Sequence, residues 1–284
     1  MFLFSLALQS TPVVVLHGIA QDKSGIQQWK RWINDVRPDV YVKNCEVGNG
    51  FFDSMLMPLQ QQIEQLSVCI NSDVLLKNGF VALAFSQGGV VMRGYIEKYN
   101  NLKYKAVRLV AVSSPLGGIY CGRDSSCAFF GQFPELLNEW LYDNAYKDAL
   151  QRHLSLANYW RDPFQLSVYE KVAFLSDLDN LHEYSGLFKD NIMRLDKMVL
   201  FASPNDGIIT PWQSAWFGVY AENSDIEVVS MEERDIYKLD LIGLKEMNEQ
   251  GRILRIESGR NHLQYLTDSA YFKESILPWL LIEK

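Results

Sequence analysis

Residues 79–94, Gly-Phe-Val-Ala-Leu-Ala-Phe-Ser-Gln-Gly-Gly-Val-Val-Met-Arg-Gly, constrain the fold more than any other stretch of the chain. An apolar run from Phe80 to Phe85 stops at Ser86, and a helix-like segment begins within three residues. A run with apolar residues at every position belongs to a strand covered on both faces. A serine at a sharp strand-to-helix turn stands clear of both elements, with the amide ends of the helix aimed at whatever it attacks. The plainer reading of Ser86 is a helix cap.

The pattern recurs along the chain. Val13–Leu16, Val107–Val112, Met198–Ala202 and Arg252–Ile256 read as further strands, and Val40–Val47 as one more. Between them, Ile26–Val36, Ser54–Ile70 and Gly89–Tyr99 carry helical spacing. Strands alternating with helices predict a mostly parallel sheet with helices on both faces. Catalytic groups then belong beyond the carboxyl ends of the strands. Residues 116–195 interrupt the rhythm with aromatic and leucine-rich segments (Phe129, Phe130, Trp140, Tyr142, Tyr159, Trp160), and read as a helical insertion. Its apolar side chains either pack on one another and on the sheet or line a groove for an apolar substrate.

A serine hydroxyl is a weak nucleophile, so Ser86 calls for a base, an acid and oxyanion donors. Of the four histidines, His262 is placed best, in a Gly-Arg-Asn loop after the last strand. His17 sits in the loop after the first strand and reads as structural or as polar lining, His153 as solvated, and His182 as an outside candidate. Asp206 follows the fourth apolar strand in an Asn-Asp-Gly turn, which is also ordinary turn chemistry. Its rivals, Asp177 and Asp179, follow a weaker run, Val172–Leu175. The order Ser86, Asp206, His262 is that of α/β-hydrolases. The backbone N–H groups of Ile19 and Gln87 are the expected oxyanion donors. The expected chemistry needs no metal or organic cofactor. One departure from the Gly-x-Ser-x-Gly turn is Ala84 in place of the first glycine; the single added methyl is expected to leave the turn intact.

With 284 residues, the chain has room for one sizeable core, read as a single domain over 11–284 that includes the 116–195 insertion. A net charge of −7 without any basic stripe argues against nucleic-acid binding. Met1 to Leu8 is strongly apolar, and residues 1–10 read either as a short secretory signal or as an apolar N-terminal segment. No run reaches the ~18 apolar residues of a membrane span. Cys121 and Cys127 bracket a short loop and make a plausible disulfide, whereas the sequence leaves Cys45 and Cys69 either buried free thiols or paired. No Asn-x-Ser/Thr sequon is present.

Several blocks together resemble the palmitoyl-protein thioesterase family. They are Val15-Leu16-His17-Gly18-Ile19 with Asp22, Cys45-Glu46-Val47-Gly48, Phe85-Ser86-Gln87-Gly88-Gly89, and Tyr159-Trp160-Arg161-Asp162-Pro163 with Val168-Tyr169. Asn205-Asp206-Gly207-Ile208-Ile209-Thr210-Pro211, Ser214-Ala215-Trp216-Phe217-Gly218, Leu241-Ile242-Gly243-Leu244-Lys245-Glu246-Met247 and His262-Leu263-Gln264 complete the set. The resemblance implies an α/β-hydrolase fold and hydrolysis of long-chain fatty acyl thioesters on protein cysteines, in the lysosome. It carries nucleophile, acid and base onto Ser86, Asp206 and His262, and the oxyanion amides onto Ile19 and Gln87. S-palmitoylated proteins are then the expected partners, and a monomer the expected state. The missing sequons set this chain apart from glycan-dependent lysosomal delivery. The alternatives are an oxygen-ester lipase or esterase of the same fold, and an inactive hydrolase fold used for binding.

Overall fold

The computed structural model describes residues 10–100, 103–122 and 141–282. The apolar runs become β1 (Val13–Leu16), β2 (Val42–Cys45), β3 (Phe80–Phe85), β4 (Ala106–Val112), β5 (Lys197–Ala202) and β8 (Ile253–Glu257). They form one six-stranded sheet in the order β2-β1-β3-β4-β5-β8, every pair parallel. A short antiparallel ribbon, β6 (Val219–Tyr220) with β7 (Val228–Val229), stands apart from it.

Alternate strand residues serve two cores, because successive side chains of a strand point to opposite faces. Val14, Leu16, Ala82, Ala84, Leu109 and Ala111 pack towards α3 (Leu59–Asn71) and α4 (Gln87–Tyr99). Val13, Val15, Val81, Leu83, Phe85 and Val110 pack against Trp29 and Ile33 of α1 (Gln27–Val36) and against Phe272 and Ile276 near the C-terminus. A strand buried on both faces cannot alternate polar with apolar residues, and this explains the unbroken runs. Each fully buried side chain of this size stabilises the fold by roughly 1.5–3 kcal/mol.

The chain runs outward from β1 to β2, then crosses back over β1 to place β3 on its other side. This reversal is a topological switch point, and it opens a crevice beyond the carboxyl ends of β1 and β3. The loop Leu16–Ala20 and the turn at Ser86 both lie there.

Several local expectations change. Ser54–Ile70 is not one helix: α2 (Phe51–Leu56) ends before Pro58, and α3 starts after it. Met57, with ψ of 127°, takes the extended backbone that a following proline imposes. The strand expected over Val40–Val47 shortens to β2. The run Val172–Leu175 is not a strand; it straddles two short helices, Leu166–Val172 and Phe174–Leu178. Cys45 and Cys69 are not free thiols but a disulfide, with Cα atoms 6.1 Å apart. The crossover that packs α3 on the sheet brings the two together across 24 positions of sequence. Closing such a loop stabilises the fold by about 3 kcal/mol in the chain-entropy account.

The insertion is helical where described, with helices at Asp148–His153, Leu166–Val172, Phe174–Leu178 and Gly186–Ile192. Residues 123–140 lie outside the described residues, and with them Cys127, Phe129, Phe130 and Trp140; residues 1–9 do so too. Tyr142 and Trp160 pack edge to face at 5.3 Å and both pack against Tyr120, so these aromatics serve the core. A buried ion network fastens the insertion to α4. Arg93 pairs with Glu97 at 2.8 Å and Asp179 at 2.7 Å, and Arg234 meets Asp179 at 2.7 Å. Arg93 also donates to the Leu116 carbonyl at 2.9 Å, and Arg234 to that of Phe217 at 2.9 Å. Among the described residues no helix is long and apolar enough to cross a membrane.

Candidate active site

Ser86 closes β3 with φ 53° and ψ −131°, a backbone conformation that non-glycine residues rarely adopt. Its amide donates to the Val112 carbonyl at 3.0 Å, and its own carbonyl accepts the Gly89 amide at 2.9 Å. These bonds tie the turn to β4 on one side and to the first turn of α4 on the other. Close approach dictates the flanking glycines. A Cβ at Gly18 would sit 2.9 Å from the Ser86 Cβ, and one at Gly88 would run into the His17 carbonyl oxygen. Ala84, where the motif has glycine, is fully buried between Leu16 and Ala111 in the sheet, and the turn is intact.

The loop after β1 is fixed by its own polar groups. His17 is buried, its Nδ1 2.9 Å from the Gly18 carbonyl and its Nε2 accepting the Val47 amide at 3.4 Å. Burial pushes its pKa down, against the Gly18 bond and the charges of Glu46 and Asp22. His17 therefore braces the loop as a neutral strut, as its sequence position suggests. Gly18 donates to Gln21 Oε1 at 3.1 Å. Among the described residues, the amides of Ile19 and Gln87 have no protein acceptor. For Gln87 this follows from its place at the first position of α4, where a helix leaves its N–H groups unpaired. The Gln87 side chain is anchored by its amide, which donates to the Ser54 carbonyl at 2.7 Å and to Gln62 Oε1 at 3.1 Å.

Asp206 and His262 come from loops after the neighbouring strands β5 and β8. The His262 amide donates to the Asp206 carbonyl at 2.9 Å, so the two loops are joined through the backbone. His262 Nδ1 lies 3.0 Å from Asp206 Oδ1 and 3.1 Å from Oδ2. Asp206 also accepts the amides of Ile208 at 3.0 Å and Ile209 at 2.7 Å. Burial alone would raise the Asp206 pKa; the His262 charge and hydrogen bond, with the Ile209 and Ser113 bonds, outweigh it and hold the carboxyl below its ordinary value. The Phe85 ring packs 4.7 Å from the imidazole, which seats His262 beside the residue preceding Ser86. Ser86, Asp206 and His262 are each 3–4% exposed. With Nδ1 taken by the carboxylate, Nε2 is the nitrogen left to exchange a proton.

Three comparisons bear on this site. A family model described as palmitoyl protein thioesterase matches residues 12–262. Palmitoyl-protein thioesterase 3 of Dictyostelium discoideum is 32% identical, over 97% of this chain and 94% of that one. The chain belongs to the palmitoyl protein thioesterase family. Lysosomal thioesterase PPT2 of Homo sapiens is 29% identical, over 95% of this chain and 87% of its own. The crystal structure of Paleococcus ferrophilus monoacylglycerol lipase superposes with a TM-score of 0.53 at 16% identity, covering 95% of each chain, and shows the α/β-hydrolase fold alone.

The family makes the protein a thioesterase and serine hydrolase. Among the described residues no group of three or more His, Cys, Asp or Glu is placed to hold a metal ion. His153 and His182 lie elsewhere. His153 is exposed on the insertion. His182 Nε2 bonds Ser176 Oγ at 2.7 Å, and its Nδ1 is 4.0 Å from Asp177. Asp179 is consumed by Arg93 and Arg234. One residue of the site escaped sequence reading: Ser113, at the end of β4, bonds both Asp206 and His262. Its only signal was position, just past an apolar strand in Ser113-Ser114-Pro115.

Proposed function

We propose that Ser86, His262 and Asp206 form a catalytic triad that removes long-chain acyl groups, palmitoyl foremost, from protein cysteines. The observation that carries this reading is the Asp206–His262 pair, locked through side chain and backbone beside the strained turn that presents Ser86. His262 Nε2 takes the Ser86 proton as Oγ attacks the thioester carbon. Asp206 holds the ring with its proton on Nδ1 and stabilises the imidazolium. The Ile19 and Gln87 amides bind the oxyanion, each donor worth roughly 3 kcal/mol of barrier. The imidazolium returns that proton to the departing cysteine sulfur, and water, with His262 again as base, attacks the acyl-serine to release the fatty acid and restore the Ser86 hydroxyl.

The acyl chain is placed in the space between the sheet top and the 116–195 insertion, which with residues 11–284 is read as one domain; the ion network from Arg93 to Asp179 and Arg234 supports that reading. The Cys45–Cys69 disulfide fits an oxidising compartment, and the lysosomal names of relatives point to an endolysosomal location. A monomer is the proposed working form.

Fluorophosphonate labelling tests the triad. Wild type is expected to label at Ser86 and Ser86→Ala not at all; a label on another residue overturns the assignment. Turnover of a palmitoyl thioester against the matched oxygen ester tests the substrate class, and preference for the ester would shift the reading to a lipase or esterase.

A further inference from the structure

Ser113 ends β4 with φ 51°, its amide donating to the Phe201 carbonyl at 2.9 Å and its side chain buried. Its Oγ donates to Asp206 Oδ2 and lies 2.9 Å from His262 Nδ1. A hydroxyl has one proton, and a carboxylate can only accept. The Ser113 proton therefore goes to Asp206, and Oγ faces Nδ1 as an acceptor. Nδ1 must then carry its hydrogen, which three oxygens share: Asp206 Oδ1 at 3.0 Å, Asp206 Oδ2 at 3.1 Å and Ser113 Oγ at 2.9 Å. The ring lone pair is left on Nε2. The same contacts fix the ring in rotation, because three acceptors around one N–H define its direction more tightly than a carboxylate edge alone. The backbone bond to Phe201 holds Ser113 to the strand that carries Asp206.

We propose that Ser113 is a positioning residue for the thioesterase reaction, setting the tautomer and the aim of His262 by bridging it to Asp206. The inference rests on the triad reading above. Ser113 acts only through Asp206 and His262, so its contribution disappears once Asp206 can no longer hold the ring.

A double-mutant cycle reads this directly. Wild type, Ser113→Ala, Asp206→Asn and the double variant are compared in palmitoyl-thioester turnover and in the rate of fluorophosphonate labelling. Ser113→Ala is expected to lower kcat roughly 10-fold with KM changed by less than about 2-fold, and to slow labelling by the same factor. In the Asp206→Asn background the same substitution is expected to cost less than about 2-fold, since groups acting as a unit are not additive. Ser113→Gly, which meets the 51° φ without strain, should reproduce the kcat loss and covers a folding failure of the alanine variant. Unchanged kcat in Ser113→Ala, a change confined to KM, or an equal loss in both backgrounds would each overturn the inference while leaving Asp206→Asn impaired. Wild-type activity in Asp206→Asn would instead remove the triad reading, and this inference with it.

Discussion

Among the described residues, serine, histidine and aspartate come together in two places, and the proposed nucleophilic chemistry belongs to one of them. Ser86, His262 and Asp206 sit beyond strand ends, on loops tied to one another through the backbone. Ser176, His182 and Asp177 sit in and just after a short helix of the insertion. Both histidines contact their serine or acid partners, but the geometry differs. Asp206 holds Nδ1 at 3.0 Å, whereas Asp177 stands 4.0 Å from the His182 ring and leans towards Lys98 at 3.1 Å. Ser176 Oγ is fully buried, within hydrogen-bond reach of the carbonyls of Tyr169, Glu170 and Ala173. That hydroxyl lies among the carbonyls that end the Leu166–Val172 helix. Residue type alone does not make a nucleophile; a strained strand-to-helix turn and its free amides do.

Paired substitutions sharpen or break this contrast. The largest effect is expected at the serines. Ser86→Ala should cost at least about 10⁴-fold in kcat, while Ser176→Ala stays within about 2-fold. Comparable losses in both would show that the insertion cluster takes part in turnover. His262→Ala should be as severe as Ser86→Ala, and His182→Ala close to wild type in the same thioester assay. Next comes the acid pair. Asp206→Asn is expected to lose about 10³- to 10⁴-fold, because an amide can stabilise the wrong ring tautomer. Asp177→Asn should leave kcat within about 2-fold, with circular dichroism showing both variants folded.

The smaller effects concern stability. Asp179, three residues from Ser176, belongs to the buried network with Arg93 and Glu97, and burial pushes the Glu97 pKa up to about 7 despite the opposing charge of Arg93. Between the ordinary value near 4.5 and about 7, folded Glu97 holds a proton that the unfolded chain has released. The resulting stability is complete below that window and is lost as pH rises through about 7. The melting temperature should therefore fall between about pH 5 and about pH 8. Glu97→Gln should flatten this fall by a few degrees without moving the pH–rate profile. An unchanged fall in Glu97→Gln would locate the titration elsewhere. Smallest, Ser176→Ala should lower the melting temperature by about 2–4 °C, from a lost hydrogen bond of roughly 1 kcal/mol. No change there would mean the hydroxyl does not hold that helix end.

How far the sequence could be read depended on the range of the forces involved. β3 was legible to the residue, because a strand buried on both faces allows only apolar side chains. The turn at Ser86 was legible because the flanking glycines answer to contacts at that turn. The break at Pro58 was legible in principle, from a local steric rule, and was overrun by the helical spacing on either side. The Cys45–Cys69 disulfide was not legible, since it depends on where the crossover sets α3 against β2. Val172–Leu175 misled because four apolar residues fit a strand or two helix ends equally well.

The chain by itself determined the parallel sheet, the order of serine, acid and histidine, and the family, since each is written in local pattern or in contiguous motifs. Only the tertiary structure decided that Cys45 pairs with Cys69, that Asp179 is spent on two arginines, and that Ser113 stands between Asp206 and His262. The contacts around His262 join the loops after β4, β5 and β8, across up to 149 residues, and those of Asp179 join the insertion to α4 and to Arg234. A hydrogen bond forms at about 3 Å, a distance that sequence spacing cannot fix and packing can.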